Sequence, residues 1–279
     1  MGSLRASGLC VAIAGVSLGS FGCTGSIGEL SEVPGKNHPS DLGQGARGGT
    51  TTAASCAKGD VGPTPLRRLT RAQYDQTVAA LLGDVSKPGK AFVPDETLLG
   101  FSAGLSVSGL LVEQYMSTAE ALAATAVTNL TKLLGCDPQV LGEDACAAQF
   151  MDKFGQRAWR RPLTTEEKTD LTALYAANKT TSGFSKAIEL VVQALLESPD
   201  FLYRIELGAP TNRPGIVKLN QWELASRLSY FLWNTMPDDA LFDAAGLGKL
   251  DTDAGLKAQV ERMTKDARMK VAVNDFASQ

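Results

Sequence analysis

Residues 184–196 read Phe184-Ser185-Lys186-Ala187-Ile188-Glu189-Leu190-Val191-Val192-Gln193-Ala194-Leu195-Leu196. In this stretch the apolar side chains recur at steps of three and four residues, which is the period of an α-helix with a buried face. Because a proline disfavours helical geometry in the residue before it, this helix is predicted to end before Pro199. The pair Ser198-Pro199 then supplies an N-cap and a first-turn proline for another short helix.

Helix start and stop signals recur on both sides of that stretch. Capping boxes begin at Thr70 and Thr164, Asn220 followed by Glu223 repeats the pattern, and Gly83 is a stop signal. No segment shows sustained period-2 alternation. The fold class is therefore predicted to be all-α, a bundle-like array of about eight to ten helices. The predicted helices lie near 71–82, 109–134, 237–245, 253–266 and from 268 onward, with others through 146–158, 165–175, 184–197 and 221–231.

Composition limits the classes of function. The chain has 27 Lys and Arg against 30 Asp and Glu and a pI of about 5.4, whereas nucleic-acid-binding domains usually carry a basic excess. His38 is the single histidine, which excludes a multi-histidine metal site and the H-E-x-x-H zinc motif. We predict no nucleic-acid partner, no metal and no cofactor, and no group of residues predicts a catalytic site.

The N-terminus predicts export from the cytoplasm. The apolar run over residues 9–19 is too short for a permanent membrane span and is typical of a secretory signal. A small residue directly before Cys23 is the layout of a bacterial lipoprotein signal, which predicts a signal peptide over 1–22, lipidation of Cys23 and attachment to a membrane through the lipid. Simple secretion with cleavage nearby is the alternative. Residues 23–64 are rich in Gly, Pro, Ser and Thr and are predicted to be a flexible tether.

The cysteines agree with an oxidising compartment. Cys136 and Cys146 can close a small loop between two helices, and we predict a disulfide between them. Cys56 is then left over, so its partner is expected in sequence outside this chain. Residues 269–279 stop inside an apolar-periodic pattern without a cap, which leads us to expect that the chain is a fragment.

Six aromatic residues fall within residues 201–233, which predicts a packing centre there. Arg204, Glu206, Glu223 and Arg227 lie among them, and we interpret these four residues as structural ion pairs. Glu223 is expected to pair with Arg227 at a spacing of i,i+4, and Arg204 with either carboxylate. The alternative makes the two carboxylates acid-base groups with shifted pKa values.

Three arginines crowd the end of the helix through 146–158. Arg157, Arg160 and Arg161 are cations placed where they complement the helix dipole and the last carbonyl groups, so no ligand is needed to explain them. Binding of an anionic lipid or glycan is the alternative.

Four long stretches together carry a resemblance to a known family. They are Pro65-Leu66-Arg67-Arg68-Leu69-Thr70-Arg71-Ala72-Gln73-Tyr74, Arg157-Ala158-Trp159-Arg160-Arg161-Pro162-Leu163, Ser198-Pro199-Asp200-Phe201-Leu202-Tyr203-Arg204-Ile205-Glu206 and Glu223-Leu224-Ala225-Ser226-Arg227-Leu228-Ser229-Tyr230-Phe231-Leu232-Trp233. These stretches resemble the planctomycete-type secreted domains of unknown function known as PSD domains, in the expected order. The resemblance divides the chain into a first helical module over 65–134, a second over 135–208 and a third over 216–279, incomplete at its C-terminus.

The resemblance implies an extracytoplasmic place in the bacterial cell envelope but brings no established catalytic residues. Some relatives carry a c-type cytochrome domain, yet this chain has no C-x-x-C-H motif, so haem binding is not carried over. We therefore predict an envelope lipoprotein with a helical interaction or scaffold role, which docks other envelope proteins.

The alternative is part of a secreted redox or polysaccharide-processing enzyme system that works with a cytochrome partner. An activity on glycans would need two carboxylates about 5–10 Å apart in an open cleft lined by aromatic residues. Glu206 and Glu223, beside Trp222 and Trp233, are the candidates for that role.

Overall fold

The structure, a computed structural model, describes residues 66–279. The predicted signal peptide, Cys23, the tether with His38, and Cys56 all lie outside the described residues. The described part is dominated by helices, which confirms the predicted all-α class. The helices are α1 (Arg71–Leu82), α2 (Gly109–Ala126), α3 (Leu130–Leu134), α4 (Pro138–Leu141), α5 (Glu143–Trp159), α6 (Thr165–Ser182), α7 (Phe184–Glu197), α8 (Pro199–Leu202), α9 (Gln221–Trp233), α10 (Asp239–Gly246), α11 (Asp253–Thr264) and α12 (Ala267–Ala277).

Short strands lie between the helices, and one pair of them, β1 with β4, joins distant parts of the chain. Each strand has two or three residues, and the strands form three antiparallel pairs: β1 with β4, β2 with β3, and β5 with β6. Among residues 66–279, no helix is both long enough and apolar enough to span a membrane. The strands are β1 (Arg67–Arg68), β2 (Glu96–Leu98), β3 (Phe101–Ala103), β4 (Tyr203–Arg204), β5 (Ala209–Pro210) and β6 (Val217–Lys218).

The helix start signals are used as the sequence predicts. The side chains of Thr70, Thr164 and Asn220 each accept a backbone N–H of the first turn, and the Gln or Glu three residues later accepts the N–H of the cap. Gly83 ends α1 in the left-handed conformation at φ 76°, which a glycine adopts without steric cost. These caps fix where α1, α6 and α9 begin.

The single long helix predicted over 109–134 is divided in two. The α-helix α2 ends at Ala126, a 3₁₀ turn follows, and α3 begins at Leu130. Asn129 explains the break, because its side chain accepts the backbone N–H of Lys132 and so caps a new helix. Asn favours such capping bonds over a helix interior, and the apolar periodicity alone did not reveal it.

The buried core has two parts, and α9 contributes to both. The larger part is built from α1, α2, α5, α6 and α7 and includes Tyr230, whereas Trp233 packs in the smaller part with α10 and α11. The prediction of one packing centre over residues 201–233 was therefore wrong, because the faces of α9 serve different cores. Phe231 points to neither and is 78% exposed.

The predicted disulfide between Cys136 and Cys146 is present, with the two Cα atoms 5.9 Å apart. It joins the segment after α3 to the first turn of α5. Cys146 is fully buried in the larger core. The bond therefore fixes the start of α5 against the connection that precedes it.

Candidate functional site

A cleft opens where the chain turns from α5 into α6 and meets the start of α9. Its volume is about 410 Å³, and its walls include Trp159, Arg161, Tyr203, Trp222 and Glu223. A concave surface that combines apolar faces with converging polar groups is where a ligand is expected to bind. This cleft is therefore the candidate site.

Arg160 is a buried residue of the cleft wall, and its hydrogen bonds connect the end of α5 to residues 200–203. It follows the last residue of α5 in a left-handed conformation, with φ 59°, and is only 3% exposed. Its guanidinium donates to the carbonyl oxygens of Phe201 at 3.0 Å and Tyr203 at 2.8 Å, and to the hydroxyl of Tyr230 at 3.3 Å. It also donates to the carbonyl oxygen of Ala158 at 3.2 Å. Backbone carbonyls thus explain this cation without a ligand, as the sequence predicted, although most of them belong to the end of α8.

Arg161 is held by two carboxylates on one wall of the cleft. Its guanidinium makes two hydrogen bonds to Glu167, at 2.7 and 2.9 Å, and one to Asp200 at 2.7 Å. The hydrogen bond from Arg161 holds the pKa of the Glu167 carboxyl below its usual value. The same guanidinium lies 5.5 Å from the centre of the Trp159 ring, whose Nε1 donates to the carbonyl of Leu195. Both side chains are therefore rigidly placed.

Glu223 lines the cleft, but backbone groups occupy its carboxylate. It accepts the N–H of Asn220 at 2.8 Å as part of the cap of α9, and those of Leu207 and Gly208 at 2.9 and 3.0 Å. The structure thus differs from the predicted ion pair of Glu223 with Arg227. The reason is that Glu223 is the third residue of α9, where a carboxylate satisfies backbone donors that the helix leaves free.

The other three residues predicted as ion pairs are placed outside the cleft. Glu206 pairs with Arg227, whose Nε donates to it at 3.0 Å. Arg204 forms no ion pair with a carboxylate of residues 66–279 and instead lies over the ring of Tyr230, 5.7 Å from its centre. Trp233, the other aromatic residue proposed beside a catalytic pair, is buried in the smaller core and donates its Nε1 to the carbonyl of Met263.

Three family models match the chain one after another. Residues 67–128 match PSD3, described as "Protein of unknown function (DUF1587)", residues 146–206 match PSD5, "Protein of unknown function (DUF1595)", and residues 219–279 match PSD4, "Protein of unknown function (DUF1592)". The chain belongs to the PSD family. No curated protein and no solved structure matches it.

The cleft lies between the PSD5 and PSD4 domains. Trp159, Arg161 and Tyr203 belong to the PSD5 match, whereas Trp222 and Glu223 belong to the PSD4 match. Clefts between domains are frequent ligand sites because each domain supplies one wall. Three of the stretches that carry the family resemblance, 157–163, 198–206 and 223–233, meet at this cleft.

Trp222 separates the cleft between the PSD domains from a second, more open hollow. That hollow has a volume of about 740 Å³ and lies between α5 and α10, with Arg157 and Phe242 in its walls. The ring of Trp222 is half-buried and lies 6.3 Å from that of Phe242, centre to centre. The ring of Trp222 therefore lines both concavities, where one extended ligand would contact it.

Besides Arg160, a second buried arginine lies in the PSD3 domain, and the sequence analysis did not predict its burial. Arg68 is 2% exposed and donates to Asp95 at 3.1 Å, to the hydroxyl of Tyr115 at 3.0 Å and to two backbone carbonyls. Nothing in the sequence distinguishes Arg68 from its exposed neighbour Arg67, because the difference arises only from strand pairing.

Within the described residues, no group of three or more His, Cys, Asp or Glu side chains could hold a metal ion.

Proposed function

We propose that this protein is a lipid-anchored, extracytoplasmic binding module that holds a saccharide chain of the cell envelope in the cleft between its PSD5 and PSD4 domains. PSD domains are typical of extracytoplasmic planctomycete proteins, which supports the location. The disulfide between Cys136 and Cys146 agrees with an oxidising compartment. The signal-like residues 1–22 and Cys23 support the lipid anchor.

The observation that supports a binding role is that the charged groups in the cleft already form structural hydrogen bonds. Arg160 donates to backbone carbonyls, Arg161 donates to two carboxylates, and Glu223 accepts three backbone N–H groups. A general acid or base needs a proton that it can exchange with a substrate, and these side chains already hold structural partners. What remains open to a ligand is the pair of partly exposed rings of Tyr203 and Trp222.

A saccharide is the ligand class that these rings favour. Flat aromatic faces of rigid side chains pack against the apolar faces of a pyranose ring, while the hydroxyl groups of the sugar reach polar atoms at the rim. Asp200 and Asn220 stand at that rim. The hollow on the far side of Trp222 gives a chain of several sugar units room to continue.

Cleavage of the saccharide has less support than binding. An acid-base pair needs two carboxylates that face the same bond. Glu206 is bonded to Arg227 and is not part of the cleft wall, and Asp200, the other carboxylate of that wall, is bonded to Arg161. Glu223 therefore has no uncommitted carboxylate partner in the cleft. Release of reducing ends from an oligosaccharide by the purified protein would contradict a purely binding role.

Tryptophan fluorescence tests the proposal. The chain has three tryptophans; Trp159 and Trp222 line the cleft and Trp233 is buried elsewhere. We expect hexasaccharides of chitin, cellulose or xylan to change the emission of the full chain in a saturable way. Trp222→Ala should weaken binding about fivefold, since a lost aromatic contact costs on the order of 1 kcal/mol. Phe231→Ala removes an exposed ring from the opposite end of α9 and should bind like the parent.

Three results would count against this function. No saturable change with any of the three hexasaccharides would remove the saccharide assignment. Equal binding by the Trp222→Ala and Phe231→Ala variants would move the ligand away from the cleft. An N-terminal peptide without a diacylglyceryl group on Cys23, in the mass spectrum of protein purified from membranes, would remove the lipid anchor.

A further inference from the structure

Two arginines face each other across the strand pair that joins the PSD3 and PSD5 domains. In the β1–β4 register, Arg67 lies directly opposite Arg204. Directly opposite residues of an antiparallel pair project to the same face, with Cβ atoms about 4.5–5.5 Å apart. Like charges in that arrangement repel each other, so the pair destabilises the strand pairing unless something neutralises it.

No carboxylate of residues 66–279 forms an ion pair with either arginine. Neither guanidinium has a carboxylate oxygen within 4.0 Å among those residues. The Nε of Arg204 is buried and has no hydrogen-bond acceptor there. Burial, together with the positive charges of Arg67 and Arg160, holds the pKa of the Arg204 guanidinium below its usual value, although Tyr230 and Glu206 act in the opposite direction. A buried donor without an acceptor is costly, and native structures rarely leave one.

The other buried arginines show how this fold normally satisfies such a group. Arg68 has a carboxylate, a hydroxyl and two carbonyl oxygens as acceptors, and Arg160 has four carbonyl oxygens and a hydroxyl. Arg204 has a well-defined place, because it lies over the ring of Tyr230, but its Nε has no acceptor in the part of the chain that the structure describes. The nearest acidic residue in the sequence, Glu206, is already bonded to Arg227.

We propose that Arg67 and Arg204 form a binding site for an oxyanion: a phosphate, sulfate or carboxylate group. One such group between the two side chains would accept N–H groups from both guanidiniums and offset the repulsion between the charges. The planar guanidinium presents two parallel donors that match the oxygens of these groups. Arg67 is exposed and Arg204 is partly exposed, so an anion can reach both from solvent.

This site is distinct from the saccharide cleft. Tyr203 and Ile205, which flank Arg204 in the sequence, line the cleft, whereas Arg204 does not. Successive side chains of an extended chain point to opposite sides, so the oxyanion site and the cleft lie on opposite faces of this segment. The two proposals can therefore fail independently.

Thermal unfolding of the full chain tests the proposal. The midpoint Tm is measured against increasing sodium phosphate, sodium sulfate or sodium acetate at pH 7, with sodium chloride keeping the ionic strength constant. A ligand that binds only the native state raises Tm along a saturating curve. We expect such a curve for at least one of the three anions, and the anion that gives it identifies the preferred group.

Three variants separate a specific site from a general salt effect. Arg67→Gln and Arg204→Gln each remove one side of the site, and Arg213→Gln removes the same charge from an exposed loop. Sulfate and phosphate stabilise many proteins by exclusion from their surface, and that effect would be the same in all variants and would not saturate. We expect the saturating part of the curve to be lost, or its half-saturation concentration to rise at least about tenfold, in Arg67→Gln and Arg204→Gln only.

The variants also behave differently without an oxyanion. In chloride alone, Arg67→Gln should have a Tm equal to or above that of the parent, because it removes the repulsion between the two arginines. The absence of a saturating curve for all three anions would overturn the proposal, as would an unchanged curve in Arg67→Gln. Since Arg67 is exposed, that variant decides the matter even if Arg204→Gln fails to fold.

Discussion

Replacement of Arg160 by Met should destabilise the protein strongly, and the structure gives the size of the effect. The carbonyl oxygens of Ala158, Asp200, Phe201 and Tyr203 each lose a charged donor. The hydroxyl of Tyr230 keeps its bond to Thr77 at 2.9 Å and is not counted. Both Met and Arg meet the same cost of the left-handed conformation, so that term cancels.

The four carbonyl groups are not equally shielded from water. The bonds to Ala158 and Phe201 are buried and should cost about 1–3 kcal/mol each when the donor is lost, whereas the bonds to Asp200 and Tyr203 are part-buried and should cost roughly half as much each. The free energy of unfolding should therefore fall by about 3–9 kcal/mol. That is a large share of the 5–15 kcal/mol typical of a folded domain.

Urea unfolding followed by circular dichroism measures this loss. With a slope of about 1–3 kcal/mol per molar urea, the midpoint should fall by more than about 1 M. Arg213→Met, at an exposed loop position, should change the free energy of unfolding by less than about 0.5 kcal/mol. Arg160→Lys should restore only part of the loss, since a single ammonium cannot reach four carbonyls at once. Equal midpoints for Arg160→Met and Arg213→Met would refute this account of Arg160.

Two further effects follow from bonds in the described residues. Reduction of the Cys136–Cys146 disulfide, with a sequence separation of 10, should lower the free energy of unfolding by about 2.5–3 kcal/mol, measured as the urea midpoint with and without a phosphine reductant. The hydrogen bond from Arg268 lowers the pKa of Asp266 to about 2, so its stabilisation is complete above pH 4 and is lost as the pH falls towards 2. Asp266→Asn should therefore flatten the fall in urea midpoint between pH 4 and pH 2; an unchanged slope would contradict the bond.

The helices could be predicted from the sequence because their signals are local. The capping boxes at Thr70, Thr164 and Asn220 need only four consecutive residues, and the structure uses all three. The strands could not be predicted in the same way. A strand such as β1, with two residues, is too short to show alternation, and its partner β4 lies far away in the sequence.

The partners of the charged residues in the cleft could also be predicted only where they are local in the sequence. Glu223 was assigned an ion pair from its i,i+4 spacing to Arg227, but position three of a helix gives a carboxylate backbone donors that are nearer. Its bonds to Leu207 and Gly208 depend on how the segment after α8 folds back. The position of Glu223 in the capping box was visible in the sequence, whereas these two contacts were not.

Residues of the stretch 157–163 have structural roles, and these roles determine which variants can test the function of the cleft. Trp159 donates a hydrogen bond to the carbonyl of Leu195, Arg160 donates to a carbonyl at the end of α8, and Arg161 donates to two acidic side chains. These partners all belong to the PSD5 match, so a substitution of Trp159, Arg160 or Arg161 would loosen the domain that forms one wall of the cleft, and a loss of binding would reveal nothing about the ligand. Trp222 carries a partly exposed ring that packs against the smaller core, outside the PSD5 domain, so its removal should leave the fold of that domain intact. Variants that keep the parent Tm and lose binding are therefore the ones that can identify what the cleft holds.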